Sequence, residues 1–81
     1  MKISYSKQAR EAIEDAPAGV QKAFFKQISF LAQNLSHPSL HAKKFDESQD
    51  LWQARVNKNW RFYFTIVEDT YRIEDVIPHP K

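Results

Sequence analysis

Arginine, tyrosine and histidine side chains in the second half of the chain have the chemistry needed to bind and cleave a phosphodiester. They are Arg55, Arg61, Tyr63 and His79. An arginine presents a planar fork of donors that holds a phosphate through paired hydrogen bonds. An aromatic ring can stack on an unpaired nucleobase, which contributes about 1–3 kcal/mol per base, and an imidazole exchanges protons near neutral pH. These residues are therefore candidates for a site that acts on RNA.

Cleavage of RNA requires two proton transfers and the stabilisation of charge. The 2′-hydroxyl must lose a proton, the pentavalent phosphate must be stabilised, and the leaving 5′-oxygen must gain a proton. Arg55 and Arg61 suit the charge stabilisation, and His79 suits the proton transfer. We take these three as the candidate catalytic residues. The candidates for substrate binding are Lys43, Lys44, Tyr63 and Lys81.

Each candidate also has a plainer interpretation. A single arginine on a strand is usually a solvated charge, and a tyrosine such as Tyr63 often packs across strands. A histidine near a chain terminus, such as His79, is often idle. The pair Lys43-Lys44 fits a solvated loop. The functional interpretation gains weight because the predicted fold brings the candidates to one face.

We expect the protein to need no metal and no other cofactor. His37 and His41 have a spacing that zinc ligands on a helix can use, but Pro38 lies between them and no carboxylate stands at ligand spacing. The chain has no cysteine, which excludes disulfides and thiolate ligands. Its single glycine cannot build a glycine-rich phosphate loop.

The composition is that of a small globular protein with a slight basic excess. The chain has 81 residues, of which 42% are hydrophobic and 27% charged, with a formal net charge of +2. We expect a single domain over residues 1–81. No apolar run approaches about 18 residues, and the N-terminus lacks the apolar segment of a signal peptide. We therefore expect a cytoplasmic protein without a membrane partner.

The first half of the sequence predicts a short strand and a helical hairpin. The strand covers Met1 to Tyr5, and Ser6 is a plausible N-cap for a helix that ends before Pro17. A second helix follows, because apolar residues recur along one stripe of a 3.6-residue period. The stripe consists of Val20, Phe24, Ile28, Leu31 and Leu35, and is widened by Phe25 and Phe30. The link between the helices is so short that they must pack antiparallel.

From Leu51 the hydrophobic period changes to two, which predicts three strands. Turns at 57–59 and 68–70 separate the strands, and the second and third strands cover 60–67 and 71–77. The predicted order is β-α-α-β-β-β. This order is an α+β fold in which a helical hairpin packs on one face of an antiparallel sheet and the other face can meet solvent.

Alternation along the strands predicts which side chains lie on the open face. They are Arg55, Arg61 and Tyr63. The faces of the third strand do not follow from parity alone. A bulge near Glu74–Asp75 would turn both Ile73 and Val76 toward the core.

Two stretches of the predicted meander carry a family resemblance. They are Lys44-Phe45 through Asp50-Leu51-Trp52-Gln53-Ala54-Arg55-Val56, and Trp60-Arg61-Phe62-Tyr63-Phe64. Together with the basic ending at His79 and Lys81 and the order of the elements, they resemble the RelE/ParE toxins of bacterial type II toxin–antitoxin systems. The resemblance covers nearly the whole chain.

The resemblance implies a metal-independent endoribonuclease that cuts mRNA in the ribosome, inhibits translation and is silenced by a cognate antitoxin protein. By position, Arg55 and Arg61 match residues that contact the scissile phosphate, and His79 falls in the region of the C-terminal catalytic residues. Lys44 falls near residues that help to activate the 2′-hydroxyl. Pro80 stands where relatives carry a tyrosine, so the identity of the general base stays open.

Two alternatives share the same resemblance. The ParE branch has a similar fold but inhibits DNA gyrase and cleaves no RNA, so gyrase is the partner in that interpretation. A degenerate member would keep only its binding to the antitoxin and would not be toxic.

Overall fold

The computed structural model describes residues 1–79 and contains two helices and five strands. In chain order the elements are β1 (Lys2–Tyr5), α1 (Lys7–Asp15), α2 (Ala18–Gln33), β2 (Lys43–Asp46), β3 (Leu51–Asn57), β4 (Trp60–Val67) and β5 (Thr70–Pro78). The strands form one sheet in the order β1-β5-β4-β3-β2. The predicted α+β fold, with a helical hairpin on one face of the sheet, is confirmed.

The helical hairpin begins and turns where the sequence predicts. The Ser6 hydroxyl accepts a hydrogen bond from the Ala9 N–H at 3.0 Å and donates one to the Glu74 carbonyl at 2.8 Å, so the cap also joins α1 to β5. The helix α1 ends at Asp15, one residue before an extended Ala16. Within residues 1–79, no helix is long and apolar enough to cross a membrane.

The core lies between the helical hairpin and one face of the sheet. The predicted stripe of α2 supplies buried side chains to it, among them Phe24, whose ring meets that of Phe62 edge to face at 5.5 Å. Phe25 does not widen the stripe, because 52% of it is exposed. Phe30 is half-buried and stacks on the His37 ring. The prediction for Phe25 was wrong because its position on the helix points past the edge of the packed stripe.

The three predicted strands form the antiparallel meander β3-β4-β5, and the chain adds a strand at each edge of it. The predicted strand β1 runs parallel to β5, with Lys2 opposite Thr70, so the sheet is mixed. The strand β2, which pairs antiparallel with β3, was not predicted. Its sequence Lys-Lys-Phe-Asp is short, mostly exposed and without the apolar alternation that marks a strand.

Two bulges set which residues of the meander face the core. Along β5 the pairing passes from Asp75 directly to Ile73, which leaves Glu74 as the extra residue. Ile73 and Val76 are 0% and 2% exposed, so the predicted bulge is confirmed. A second bulge in β3 leaves Val56 unpaired between Arg55 and Asn57. Because the bulges restart the alternation, apolar side chains stay in the core and polar ones stay on the open face.

Candidate nucleic-acid interface

A cleft of about 420 Å³ opens on the sheet face away from the helices and gathers most of the predicted cations. We call it the cationic cleft. Its lining residues are His41, Ala42, Lys43, Gln53, Ala54, Arg55, Arg61 and His79. All three predicted catalytic residues and one predicted substrate-binding lysine are therefore brought together, although they come from different strands and from the end of the described chain.

The two arginines of the cationic cleft face each other directly. Arg55 in β3 and Arg61 in β4 are cross-strand partners. Burial and the charge of Arg55 lower the pKa of Arg61 below its usual range. Among residues 1–79 the ion pairs are Lys2–Asp69, Lys44–Asp50 and Arg72–Glu74. Neither arginine is in an ion pair within residues 1–79, so no carboxylate of these residues offsets their repulsion and an anion between them would be favoured.

The Arg55 guanidinium also has an unmet hydrogen-bonding requirement. Its Nε is buried and has no partner among the described residues. A buried donor without a partner costs about 1–3 kcal/mol. Because the Nε is closed to solvent, a phosphate oxygen could accept its hydrogen bond only after the Arg55 side chain moves. The charge of the two arginines, and not this buried donor, is therefore the property of the cleft that favours an anion.

The Arg61 guanidinium is held by the turn that connects β3 and β4. Its Nη1 donates hydrogen bonds to the carbonyls of Asn57 at 2.8 Å, Trp60 at 3.0 Å and Lys58 at 3.4 Å. The Asn57 side chain in turn accepts a hydrogen bond from the Asn59 N–H at 2.8 Å. Sequence analysis predicted the turn but not that its carbonyls orient Arg61. A fixed guanidinium needs little reorganisation when charge develops on a phosphate.

The turn between β3 and β4 also holds the backbone of His79. The His79 N–H donates a hydrogen bond to the Asn59 carbonyl at 2.7 Å, just after β5 ends at Pro78. His79 is exposed, so its ring is open to a ligand in the cleft. The predicted substrate-binding residue Lys81 lies outside the described residues.

His41 belongs to the cationic cleft, and sequence analysis missed it. We considered this histidine only with His37 as a zinc ligand. The His37 ring instead stacks on Phe30, with the centroids 3.9 Å apart, and does not line the cleft. Among residues 1–79, no group of three or more potential metal ligands occurs. His41 could have been found from the sequence only if β2 had been predicted. A strand that starts at Lys43 places the residues just before it, His41 and Ala42, in the cleft.

Gln27 connects α2 to both walls of the cleft. It is 7% exposed, and its Nε2 donates hydrogen bonds to the Arg55 carbonyl at 2.8 Å and the Ser39 carbonyl at 2.9 Å. The Ser39 hydroxyl donates to Gln27 Oε1 at 3.1 Å. One buried side chain thus fixes the Arg55 backbone relative to the segment that carries His41. A buried amide whose donors and acceptor are all hydrogen-bonded makes the groups around it more rigid, and here those groups are the Arg55 backbone and Ser39.

Tyr63 lies beside the cationic cleft, at the rim of a second cleft of about 610 Å³. We call this second one the aromatic cleft. It is lined by Ser6, Gln8, Phe45, Gln49, Leu51, Tyr63, Thr65, Glu74, Asp75 and Ile77. The Tyr63 hydroxyl accepts a hydrogen bond at 2.9 Å from Gln53, which lines the cationic cleft, so the two clefts adjoin.

Phe45 presents an open aromatic surface in the aromatic cleft. It is 55% exposed, and its ring meets that of Tyr63 edge to face at 5.0 Å. Sequence analysis did not single out Phe45, because nothing in its neighbourhood predicted a strand. An exposed ring next to an anion site can stack on an unpaired base.

Lys44, another predicted substrate-binding residue, does not join the cationic cleft. It pairs in register with Trp52, and its Nζ lies 5.3 Å from the centre of the Trp52 ring. The Nζ also makes an ion pair with Asp50 at 3.1 Å. Because neighbouring residues of a strand point to opposite faces, Lys43 faces the cleft and Lys44 faces away. The prediction treated the two lysines as one loop pair and so missed this separation.

Solved structures share the architecture of this chain, although their sequences are less than 20% identical to it. No protein-family model matches the chain, and no curated protein does. The RelE–RelB complex from the archaeon Pyrococcus horikoshii aligns over 95% of this chain and 92% of that one, with a TM-score of 0.79 and 17% identity. A YoeB/ParE toxin from Agrobacterium tumefaciens aligns over 99% of this chain and 100% of that one, with a TM-score of 0.82 and 12% identity. This chain has the RelE/ParE toxin fold.

The RelE/ParE fold recurs in toxins solved alone and with their antitoxins. YafQ from Escherichia coli aligns over 96% of this chain and 92% of that one, with a TM-score of 0.67 and 18% identity. YoeB from Staphylococcus aureus has been solved as a dimer and in a complex with YefM. The resemblance found in the sequence therefore holds at the level of the fold, with five strands where the sequence predicted four.

Proposed function

We propose that the protein is the toxin of a type II toxin–antitoxin system and a metal-independent endoribonuclease that cuts mRNA on the ribosome. The observation that carries this proposal is the facing pair Arg55 and Arg61, which no described carboxylate neutralises, next to His79 in one open cleft. The RelE/ParE fold supports it. A cleft with paired arginines and a proton-transfer group suits a phosphodiester better than a neutral substrate.

In the proposed reaction the scissile phosphate lies between the two arginines. The 2′-oxygen loses its proton and attacks phosphorus, and the bond from phosphorus to the 5′-oxygen breaks. The 5′-oxygen gains a proton, which leaves a 2′,3′-cyclic phosphate and a 5′-hydroxyl. His79 transfers one of the protons, and Arg55 and Arg61 stabilise the extra charge on the phosphoryl oxygens.

The neighbouring side chains extend the proposed RNA path beyond one phosphate. Lys43 adds a positive charge at the rim of the cationic cleft. Tyr63 and Phe45 offer rings for the adjacent bases in the aromatic cleft. Specific recognition of single-stranded RNA combines such stacking with contacts to the phosphates. The substrate is therefore proposed to be a single strand that crosses both clefts.

We further propose that the protein is cytoplasmic and has a cognate antitoxin. The antitoxin would carry an acidic or amphipathic segment that folds on binding and covers the cationic cleft. Relatives of the same fold that have been crystallised with RelB or YefM support this partner. Co-purification with the product of a neighbouring gene tests it.

The test of the function is induction of the chain in bacteria, with growth and transcript integrity followed together. The wild type is expected to stop growth and to yield cut transcripts, and an Arg55→Ala/Arg61→Ala variant is expected to do neither. Arg10→Ala, an exposed arginine on α1, is the matched control and should behave as the wild type. Growth arrest with intact transcripts and DNA damage would favour gyrase inhibition, and no arrest would favour a non-toxic member.

A further inference from the structure

A second histidine enters the cationic cleft from the side opposite to His79. The strands run in the order β5-β4-β3-β2 across this part of the sheet. His79 follows β5, Arg61 and Arg55 lie on β4 and β3, and His41 stands two residues before β2. The two imidazoles therefore flank the arginine pair.

This arrangement matches what transfer of a phosphoryl group to the 2′-oxygen requires. The attacking and leaving oxygens lie on opposite sides of the phosphorus atom, roughly in line. One group must accept the proton of the attacking oxygen, and another must protonate the leaving oxygen. A phosphate held between the arginines would have one histidine near each of these positions.

We propose that His41 is a catalytic residue of the cleft and forms an acid–base pair with His79. This inference rests on the proposed ribonuclease function. One imidazole, neutral, takes the proton of the 2′-hydroxyl as the bond from the 2′-oxygen to phosphorus forms. The other, protonated, gives its proton to the 5′-oxygen as the bond from that oxygen to phosphorus breaks. Each imidazole ends in the protonation state in which the other began, so a proton exchange with water restores both.

The backbone holds His41 in place. The residue has φ 46° and ψ 42°, a left-handed conformation that is uncommon for residues other than glycine and that Asp50 and Glu68 of this chain also adopt. The preceding Leu40 is completely buried, and Ser39 is bound to Gln27. A costly conformation that the surroundings enforce is typical of residues at functional sites. The fold thus fixes the backbone from which the His41 imidazole enters the cleft.

Within residues 1–79, the side chains that share the cleft with His41 include cations and no acid. The titratable groups that line the cleft with it are Lys43 from β2, Arg55 from β3, Arg61 from β4 and His79. Gln53 is the neutral polar side chain among the lining residues. No carboxylate of the described residues lines this cleft, so the two imidazoles are the described lining groups that suit general acid–base catalysis.

The first part of the test is single-turnover cleavage of mRNA on a programmed ribosome. His41→Asn keeps a residue that tolerates the left-handed conformation, and His79→Asn is its counterpart. Each should slow the bond-breaking step by about 10²–10⁴-fold, and each should remove one limb of a bell-shaped pH profile. His37→Asn is the matched control, because His37 does not line the cleft. Asparagine can accept the hydrogen bond of the Ser39 N–H that the His37 ring accepts, so the rate should stay unchanged.

The second part identifies the acid with a substrate whose 5′-oxygen at the scissile bond is replaced by sulfur. A thiolate leaves without protonation, so the variant that lacks the acid should cut this substrate as fast as the wild type. The variant that lacks the base should remain slow. A third variant, His41→Gly, takes the left-handed conformation freely and should recover part of its rate with added imidazole.

Three results would overturn the proposal. The first is a His41→Asn variant that cuts at the wild-type rate at every RNA concentration. The second is a His41→Asn variant that binds RNA more weakly but cuts at the wild-type rate at saturation. The third is the absence of imidazole rescue in a His41→Gly variant that melts at the wild-type temperature. A wild-type chain that leaves both substrates intact while the ribosome is correctly programmed would overturn the ribonuclease function itself, and this inference with it.

Discussion

Arg55 and Arg61 differ in how the protein satisfies their guanidinium groups. Arg61 makes three hydrogen bonds to the turn after β3, whereas the buried Nε of Arg55 makes none among the described residues. The two residues are thus expected to share a role toward a phosphate but to have opposite effects on stability. A residue that costs the fold stability is typical of a binding site.

The stability difference is the first prediction. Arg55→Met keeps the apolar stem and removes the buried donor and the repulsion, so it should leave the free energy of unfolding unchanged or raise it by up to about 1 kcal/mol. Arg61→Met removes charged hydrogen bonds and should lower that free energy by about 1.5–3 kcal/mol. Urea denaturation at low salt measures both. Equal losses for the two variants would contradict the assignment.

Phe45 supports a prediction about base stacking. Phe45→Ala should weaken the binding of a non-cleavable single-stranded RNA by about 1–3 kcal/mol. Phe25→Ala is the matched control, because Phe25 is similarly exposed but lies on the helical side of the molecule. Fluorescence anisotropy measures both affinities. A loss of equal size for Phe25→Ala would show that the aromatic cleft has no special part in binding.

At the scale of elements, α2 positions the cleft through Gln27. Replacing this residue by leucine leaves the Arg55 and Ser39 carbonyls without their side-chain donor. The free energy of unfolding should fall by about 1–3 kcal/mol, and the rate of RNA cleavage should fall although no group that contacts RNA has changed. Gln33→Leu, at the exposed end of the same helix, is the control, and its free energy of unfolding should stay within about 0.5 kcal/mol of the wild-type value. A cleavage rate that survives Gln27→Leu would contradict the positioning role.

The elements also show how much of the fold the sequence predicts. The stripe of α2 and the alternation in β3 and β4 follow from hydrophobic period, because burial of one face selects the residues. The strand β2 does not, because its pairing with β3 is made by the backbone while its side chains remain exposed. The bulge at Glu74 could be predicted only as a way to bury both Ile73 and Val76.

The site was predictable to the extent that strands determine faces. Arg55, Arg61 and Tyr63 follow from alternation, and the structure gives them the predicted face. His41 and the orientation of Lys44 depend on the unpredicted strand β2. They could not be found without it, because a residue outside a regular element carries no period from which its direction can be inferred.

For the whole molecule, the distribution of charge matters more than the net charge of +2. The cationic cleft is lined by Lys43, Arg55 and Arg61 together with two histidines, whereas the aromatic cleft beside it contains Glu74 and Asp75. Phosphates are therefore expected on one half of the open face and neutral bases on the other.

Salt dependence tests this distribution. With about three phosphate contacts, the logarithm of the RNA-binding constant should fall with the logarithm of salt concentration at a slope near −2, and Arg55→Met should reduce the steepness by about 0.7. Phe45→Ala should lower the affinity without changing the slope. Binding titrations with a 2′-deoxy substrate at several salt concentrations provide the measurement. Affinity that does not respond to salt would contradict a phosphate site in the cleft.

Cleavage of a defined mRNA on purified ribosomes shows whether the cleft around Arg55 and Arg61 cuts RNA. The wild type should yield a 2′,3′-cyclic phosphate and a 5′-hydroxyl in the presence of a metal chelator, and the Arg55→Ala/Arg61→Ala variant should yield neither. An intact mRNA after incubation with folded wild-type protein, or equal cleavage by the double variant, would contradict this expectation.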